Sequence, residues 1–485
     1  MKSQLVVLGR KNRIVEQSNV FDSLPLCCIK INVMKEDKTK EQTKKRAIQG
    51  LPVIQPYAAG ADIGDTQHDI AINNGTSGLI VRTFKSFTED LREAVKWLIE
   101  EGITTIAMES TGVYYLPFYL MLEEAGIEPY LVNAKHVKNV TGRKRDDTDA
   151  MWIQRLHSCG LLQKCFQPDN NDRRLRTYVR QRKGLVNRCS DEVRRMQKSL
   201  ELMNIKVHTV ISDLQGKTGM QIIEAILDGE KNPVNLSKLK DPRIQASDEE
   251  IIKSLEGIWE DEYLFTLQQA HDTYFFFQQQ IKDCETKIYD HLLNQTAMIN
   301  QGDITSEQYP TTRKTKLKKN QYYFPVTPFL KTMCGVDLCQ IPGISESHAL
   351  EFISETGRDT SKWKSSKHFS AWLNLAPNTK ITGGKIFSSR IMHKKNKAGL
   401  VLRVAASSLS RNKTPIGDFH RRMCAKYGGK GACVATAHKL SRTIFCMLDK
   451  REEFRMDMLL ESQKKFRENR IKQLEKQLAR MKHVA

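Results

Sequence analysis

From residue 57 onward the chain switches repeatedly between two hydrophobic periods, and this switching restricts the fold more than any other feature. AAGADIG, HDIAIN and GLIVRTF are short β-prone runs bounded by Gly, Asn or Asp, so their spacing predicts three strands in a meander. A helix is predicted over 88–101, capped by Thr88, with Leu91, Ala94, Val95 and Leu98 on one face. TTIAM then reads as a buried strand, GVYYLPFYLMLEEAG as a helix and EPYLVN as a further strand.

A meander followed by alternating helix and strand builds a mixed sheet covered by helices, in the order of a ribonuclease H-like α/β domain over 57–171. The remainder reads as α. On 172–204, Leu175, Tyr178 or Val179, Leu185 or Val186, Cys189, Val193, Met196, Leu200 and Met203 recur near heptad spacing, and such a stripe needs a partner helix. The segment YFFFQQQIKDCETKIYDHLL supplies an antiparallel return arm, making 172–295 a helical coiled-coil stalk. Residues 296–327 are polar and basic without a periodic apolar face, and read as a linker.

A mostly helical domain is predicted over 328–450. Its QIPGISESHALEFISETG segment holds a Pro-Gly turn, read either as an ordinary helix-turn or as a helix-hairpin-helix-like element offering backbone N–H groups to phosphate. Residues 451–485 form a charged helical tail with Ile471, Leu474, Leu478 and Met481 at coiled-coil spacing, suited to meeting another protomer. Residues 1–56 carry LVVL, then KEDKTKEQTKKRAIQ, then Pro52 and Pro56. They read as a basic leader and linker, expected to be disordered, with Met34 as a second candidate start.

At 485 residues the chain exceeds what one core supports, so several domains are expected. Lys and Arg number 77 against 56 Asp and Glu, a net charge of +21, which points to a polyanionic partner unless the lysines merely coat solvated faces. The eleven cysteines include no CxxC pair and read as reduced thiols rather than a zinc site. No apolar run reaches the roughly 20 residues that span a bilayer, so a cytoplasmic, nucleoid-associated protein without a membrane partner is expected.

Within this frame four carboxylates stand out. Asp62 ends the first strand before Gly64, Glu109 closes the TTIAM strand, and Asp146 and Asp149 are spaced to share one face of a helix. Singly, each is readable as a strand-end or helix cap. Together, in a basic chain, they suit divalent ions that activate one oxygen and stabilise another during phosphoryl transfer. DIGDT also fits the DxGxT phosphate loop of actin-like kinases, but no second DxG loop accompanies it.

ADIG, AMESTGVY, the basic DxxDA segment, IPG, and AWLNLAP followed by TGGK resemble, in this order over about 57–450, the DEDD transposases of insertion-sequence family 110, the bridge-RNA-guided recombinases. The resemblance implies a RuvC-like domain whose Asp62, Glu109, Asp146 and Asp149 bind Mg2+, and a C-terminal transposase domain with a nucleophilic Ser. At that register this chain has Thr382, whose β-branch restricts its rotamer; Ser388 and Ser389 are neighbouring hydroxyls. DNA, a structured guide RNA and further copies of the chain are the implied partners. Arg180, Lys183, Arg194, Lys385, Arg390, Lys394 and Lys395 are the candidate nucleic-acid contacts, with His393 and Lys397 beside the last of them. A RuvC-type structure-specific nuclease, or an inactive nucleic-acid-binding relative, would share the carboxylates without needing Thr382.

Overall fold

The computed structural model describes residues 52–73, 78–110, 112–134, 137, 148–301, 308–391 and 396–484, and divides into two compact units, 1–166 and 167–485. The leader up to residue 51 therefore lies outside the described residues. Residues 54 and 55 are already docked, since their N–H groups both donate to the Ser158 carbonyl at 2.8 and 3.0 Å.

The first unit holds β1 (Ala58–Ile63), β2 (Gln67–Asn73), β3 (Leu79–Lys85), α1 (Thr88–Glu100), β4 (Thr105–Glu109), α2 (Tyr115–Glu124), β5 (Glu128–Val132) and α3 (Asp149–Ser158). The sheet order is β3-β2-β1-β4-β5. The meander pairs antiparallel and β1-β4-β5 pair parallel, as the predicted ribonuclease H-like order requires. Two apolar layers cover the sheet. Ala59, Ala61, Ile63, Ile70, Ile106 and Met108 pack against Leu91, Leu98 and Phe118 of α1 and α2, whereas Ala107 and Val132 pack against Trp152, Ile153 and Leu156 of α3. Thr88 does not cap α1: Phe87 occupies the cap position, no side chain bonds there, and Thr88 is already helical.

The second unit begins with α4 (Asn170–Leu202), continues through α5 to α8 (Val207–Val210, Lys217–Leu227, Pro233–Ser237, Asp248–Leu255) and returns along α9 (Asp261–Asn300). The arms are antiparallel, for Ser199 bonds Thr266, Cys189 faces Tyr274, and Cys284 donates to the Tyr178 carbonyl. The stripe is divided between two cores. Leu185, Cys189, Met196 and Leu200 pack with α6, α8 and α9, while Leu175 and Val179, with Ile288 and Leu292, belong to the core of the C-terminal helices.

After α10 (Thr327–Cys334) come α11 (Glu346–Thr356), α12 (Ser366–Trp372), a hairpin of β6 (Lys380–Thr382) and β7 (Lys385–Ser388), α13 (Lys397–Ser408), α14 (Pro415–Lys450) and α15 (Met456–Val484). Gly428 breaks α14 at φ 73°.

Residues 308–326 are not the linker expected. Tyr309, Tyr322, Phe324 and Val326 are buried, and Arg313 donates to the carbonyls of Tyr322 and Phe324, both at 2.7 Å. Aromatic side chains scattered among lysines leave no period to read, yet each fills core volume.

The Pro-Gly segment forms a turn in which Ile344 N–H donates to the Ile341 carbonyl, with Gly343 at φ 90°. Ser345 then caps α11 by accepting from His348 N–H.

Candidate active site

Gly60 fixes how closely α3 lies on β1. A Cβ there would stand 2.2 Å from the Gln154 nitrogen and 2.6 Å from the Ala150 carbonyl oxygen, so only glycine admits the helix. Alternation along β1 puts Gly60 and Asp62 on the α3 side of the sheet, opposite Ala61 and Ile63. Along β4 the same alternation puts Glu109 with Ala107 on that side. The parallel ladder ends by pairing Ala61 with Met108, the residues that immediately precede Asp62 and Glu109.

Thr148 starts α3. It is extended, at φ −66° and ψ 163°, and its hydroxyl accepts from Met151 N–H at 3.3 Å. Asp149 is therefore the first helical residue, where the positive helix end favours a carboxylate. Because the helix starts there, the shared helical face inferred for Asp146 and Asp149 is not continued back through Thr148. Asp146 itself lies outside the described residues.

The carboxyl group of Asp62 is pushed above its ordinary value, first by burial, then by the charge of Asp149 and then by that of Asp69, while the Ile63 N–H and His68 act the other way. Asp62 and Asp149 thus sense each other across the sheet-helix boundary. Asp69 is a residue that sequence reasoning missed. It stands directly opposite Asp62 in the β1–β2 ladder and accepts from the Thr83 hydroxyl at 2.7 Å. Only the register reveals it, since an isolated Asp in HDIAIN reads as a solvent-facing position. Its neighbour His68 is buried on the other side of the sheet, 5.9 Å from the Phe118 ring, and burial lowers its pKa.

Among the described residues no three His, Cys, Asp or Glu side chains already form a metal-holding group. The donors that do converge are hard oxygens, and the repulsion felt by Asp62 is what a divalent cation would relieve. Asp62, Asp149 and Asp69, which feel one another's charge, offer oxygens of the kind that suits a hard divalent ion.

In the second unit Thr382 ends β6, and Gly383 and Gly384, at φ 55° and 73°, form the tight turn to Lys385. Positive φ at both central residues is the pattern of a type I′ hairpin turn. Thr382, Lys385, Ser389 and Arg390 are exposed. Ser388 Oγ accepts from Arg390 N–H at 3.4 Å. His393, Lys394 and Lys395 lie outside the described residues.

The three stalk cations expected to meet nucleic acid have carboxylate partners within the chain. Arg180 grips Glu355 through two 2.7 Å bonds, Lys183 pairs with Glu351, and Arg194 pairs with Asp191. Arg176 adds a 2.8 Å bond to the Glu355 carbonyl. Lys397 has its pKa lowered by burial and by Arg180, Arg176 and Lys183, so cations outnumber carboxylates at this seam.

Residues 59–205 match a family model for the DEDD transposase of IS110, described as Transposase, and residues 337–421 match the model described as Transposase IS116/IS110/IS902 family. No curated protein matches the chain. The first match contains the sheet, α3 and α4, and the second contains the Pro-Gly turn, the Thr382 hairpin and α13. Two matches, in this order along one chain, support an IS110-family insertion-sequence transposase, an enzyme that transposes or recombines DNA.

Proposed function

We propose that this transposase cleaves and rejoins DNA strands by Mg2+-dependent phosphoryl transfer, with Asp62, Glu109, Asp146 and Asp149 as metal ligands and Thr382 as nucleophile. The observation that carries the reading is Asp62 held among Asp149 and Asp69 at the end of a central strand, in a segment matching a DEDD transposase. When bound, the ions supply Lewis acidity at the phosphoryl oxygens. The carboxylates hold those ions and orient the strand.

Thr382 Oγ1 attacks phosphorus, so that an Oγ1–P bond forms while a P–O bond to deoxyribose breaks, releasing a DNA hydroxyl. Attack by a second DNA hydroxyl reverses the step and exchanges the strands. Its exposed place on a tight turn suits Thr382 to approach a phosphate. In this reading the target is selected by a structured RNA, and the enzyme works as a dimer or tetramer. Support for these two features is the order of sequence motifs and the net charge of +21.

The test is formation of a covalent protein–DNA adduct on element-end DNA. Thr382→Ala is expected to abolish the adduct and Thr382→Ser to keep it. Asp62→Ala is expected to abolish cleavage with DNA binding retained. Undiminished adduct in Thr382→Ala, or full strand exchange in EDTA, would overturn the assignment.

A further inference from the structure

The Thr382 hairpin carries an apolar edge that nothing among the described residues of its own unit covers. Ile381, Ile386 and Phe387 are 63%, 67% and 82% exposed, although two-stranded hairpins are marginal in water without packing. The register shows why they cluster. Ile381 pairs with Ile386, Lys380 pairs with Ser388, and Phe387 is the extra residue between them, a bulge that sets Ile386 and Phe387 together opposite Ile381. Thr382 and Lys385 pair one step on, facing the other way. One hairpin face is therefore apolar and aromatic, and the other offers a hydroxyl and an ammonium.

The charge around it selects the partner. Between Asp359 and Asp418 there is no Asp or Glu, and this stretch carries twelve Lys and Arg, among them Lys380, Lys385 and Arg390 beside the hairpin. A protein surface seated here would need unusual acidity, whereas DNA combines a polyanionic backbone with apolar base faces.

We infer that Phe387, flanked by Ile381 and Ile386, stacks on or wedges beside a base of the DNA next to the phosphate that the hairpin addresses. Lys385 meanwhile contacts the backbone. Bulges commonly re-aim a side chain in this way, and Phe and Ile are typical wedges between base steps. The inference deepens the reading of this enzyme as a DNA transposase and does not require Thr382 to be the nucleophile.

The test compares binding of the full-length protein to a fluorescent single-stranded oligothymidylate and to an abasic phosphodiester of equal length. The wild type is expected to prefer the base-bearing strand by roughly 5- to 150-fold, the range of one base–aromatic stack. Phe387→Ala is expected to remove most of that preference, Phe387→Trp to keep it, and Lys385→Ala to weaken both strands alike. A preference unchanged in Phe387→Ala would overturn the inference. So would a changed oligomeric state of Phe387→Ala with its preference intact, which would place a protein surface on the hairpin. In either case salt-dependent binding by the wild type would leave the transposase reading standing, whereas loss of all DNA binding would sink that reading as well.

Discussion

Arg182 reaches from α4 to Glu285 on α9 at 2.6 Å, and both side chains are only 6% exposed. The pair is fully served, since Arg182 also donates to the Asn320 carbonyl at 2.9 Å and lies 3.9 Å over the Tyr322 ring, while Glu285 accepts from Tyr323 N–H. It ties both stalk arms to the loop that precedes α10. Removing one partner strands a buried charge, so Arg182→Met or Glu285→Gln is expected to destabilise the second unit by about 3–5 kcal/mol, whereas Arg182→Met with Glu285→Leu should cost much less. Urea midpoints followed by circular dichroism would show the contrast; equal losses in single and double variants would contradict it.

Arg180 and Lys385 are expected to separate stability from DNA affinity. The two bonds of Arg180 to Glu355 join α4 to α11, so Arg180→Ala should lower stability by about 1 kcal/mol and leave the salt dependence of DNA binding nearly unchanged. Lys385 is exposed, and Lys385→Ala should reduce the slope of log affinity against log salt by about one. Titrations at several salt concentrations measure both.

The two units are expected to respond oppositely to acid. Burial, with Lys164 adding and Glu128 opposing, holds His157 down to about 4 from the ordinary 6.5. The unfolded chain therefore takes up that proton first, and stability present above pH 6.5 is lost as pH falls toward 4, by about 3 kcal/mol. Asp172 in the second unit is pushed up to about 6 by burial and by Asp169, against Arg358, Lys362 and Arg176. Its folded form holds the proton more tightly, so its contribution is full below pH 3.8 and is lost as pH rises through 6, by about 3 kcal/mol. Asp172→Asn should raise stability at pH 7 and His157→Gln should flatten the acid loss. Hydrogen exchange of each unit from pH 4 to 7 would resolve the trends, and parallel responses would refute them.

Divalent ions are expected to stabilise the first unit selectively. At 100 times its dissociation constant, Mg2+ should add about 2.7 kcal/mol, seen as a rise in melting temperature. Asp62→Ala should abolish this shift, and Asp69→Asn should reduce the repulsion at Asp62 without abolishing it. A shift of full size in Asp62→Ala would show that the ion binds elsewhere.

The meander and the α/β alternation were legible because short apolar runs between Gly, Asn and Asp impose strand spacing locally. Asp62, Glu109 and Asp149 were legible as strand and helix ends. Asp69 was not, because its importance comes from a cross-strand partner seven residues earlier that no period encodes. Arg182 stayed hidden for the opposite reason: a cation in a helix rich in Lys and Arg reads as one more residue of the charged faces, yet Glu285, Asn320 and Tyr322 make it core. Tyr322 and Phe324 were masked by surrounding lysines, and the partners of Arg180 and Lys183 lie about 170 residues away along the chain, at separations of 175 and 168.

Gly60 has no side chain to offer to any ligand, yet it sets how closely α3, and with it Asp149, approaches the strand of Asp62. A mutational scan of this enzyme would accordingly score that glycine beside the carboxylates, and intolerance to change would rank a spacer with the acidic side chains it positions. Asp62→Asn and Gly60→Ala part company only in what survives them: the first leaves α3 seated on an intact sheet, and the second lifts it off.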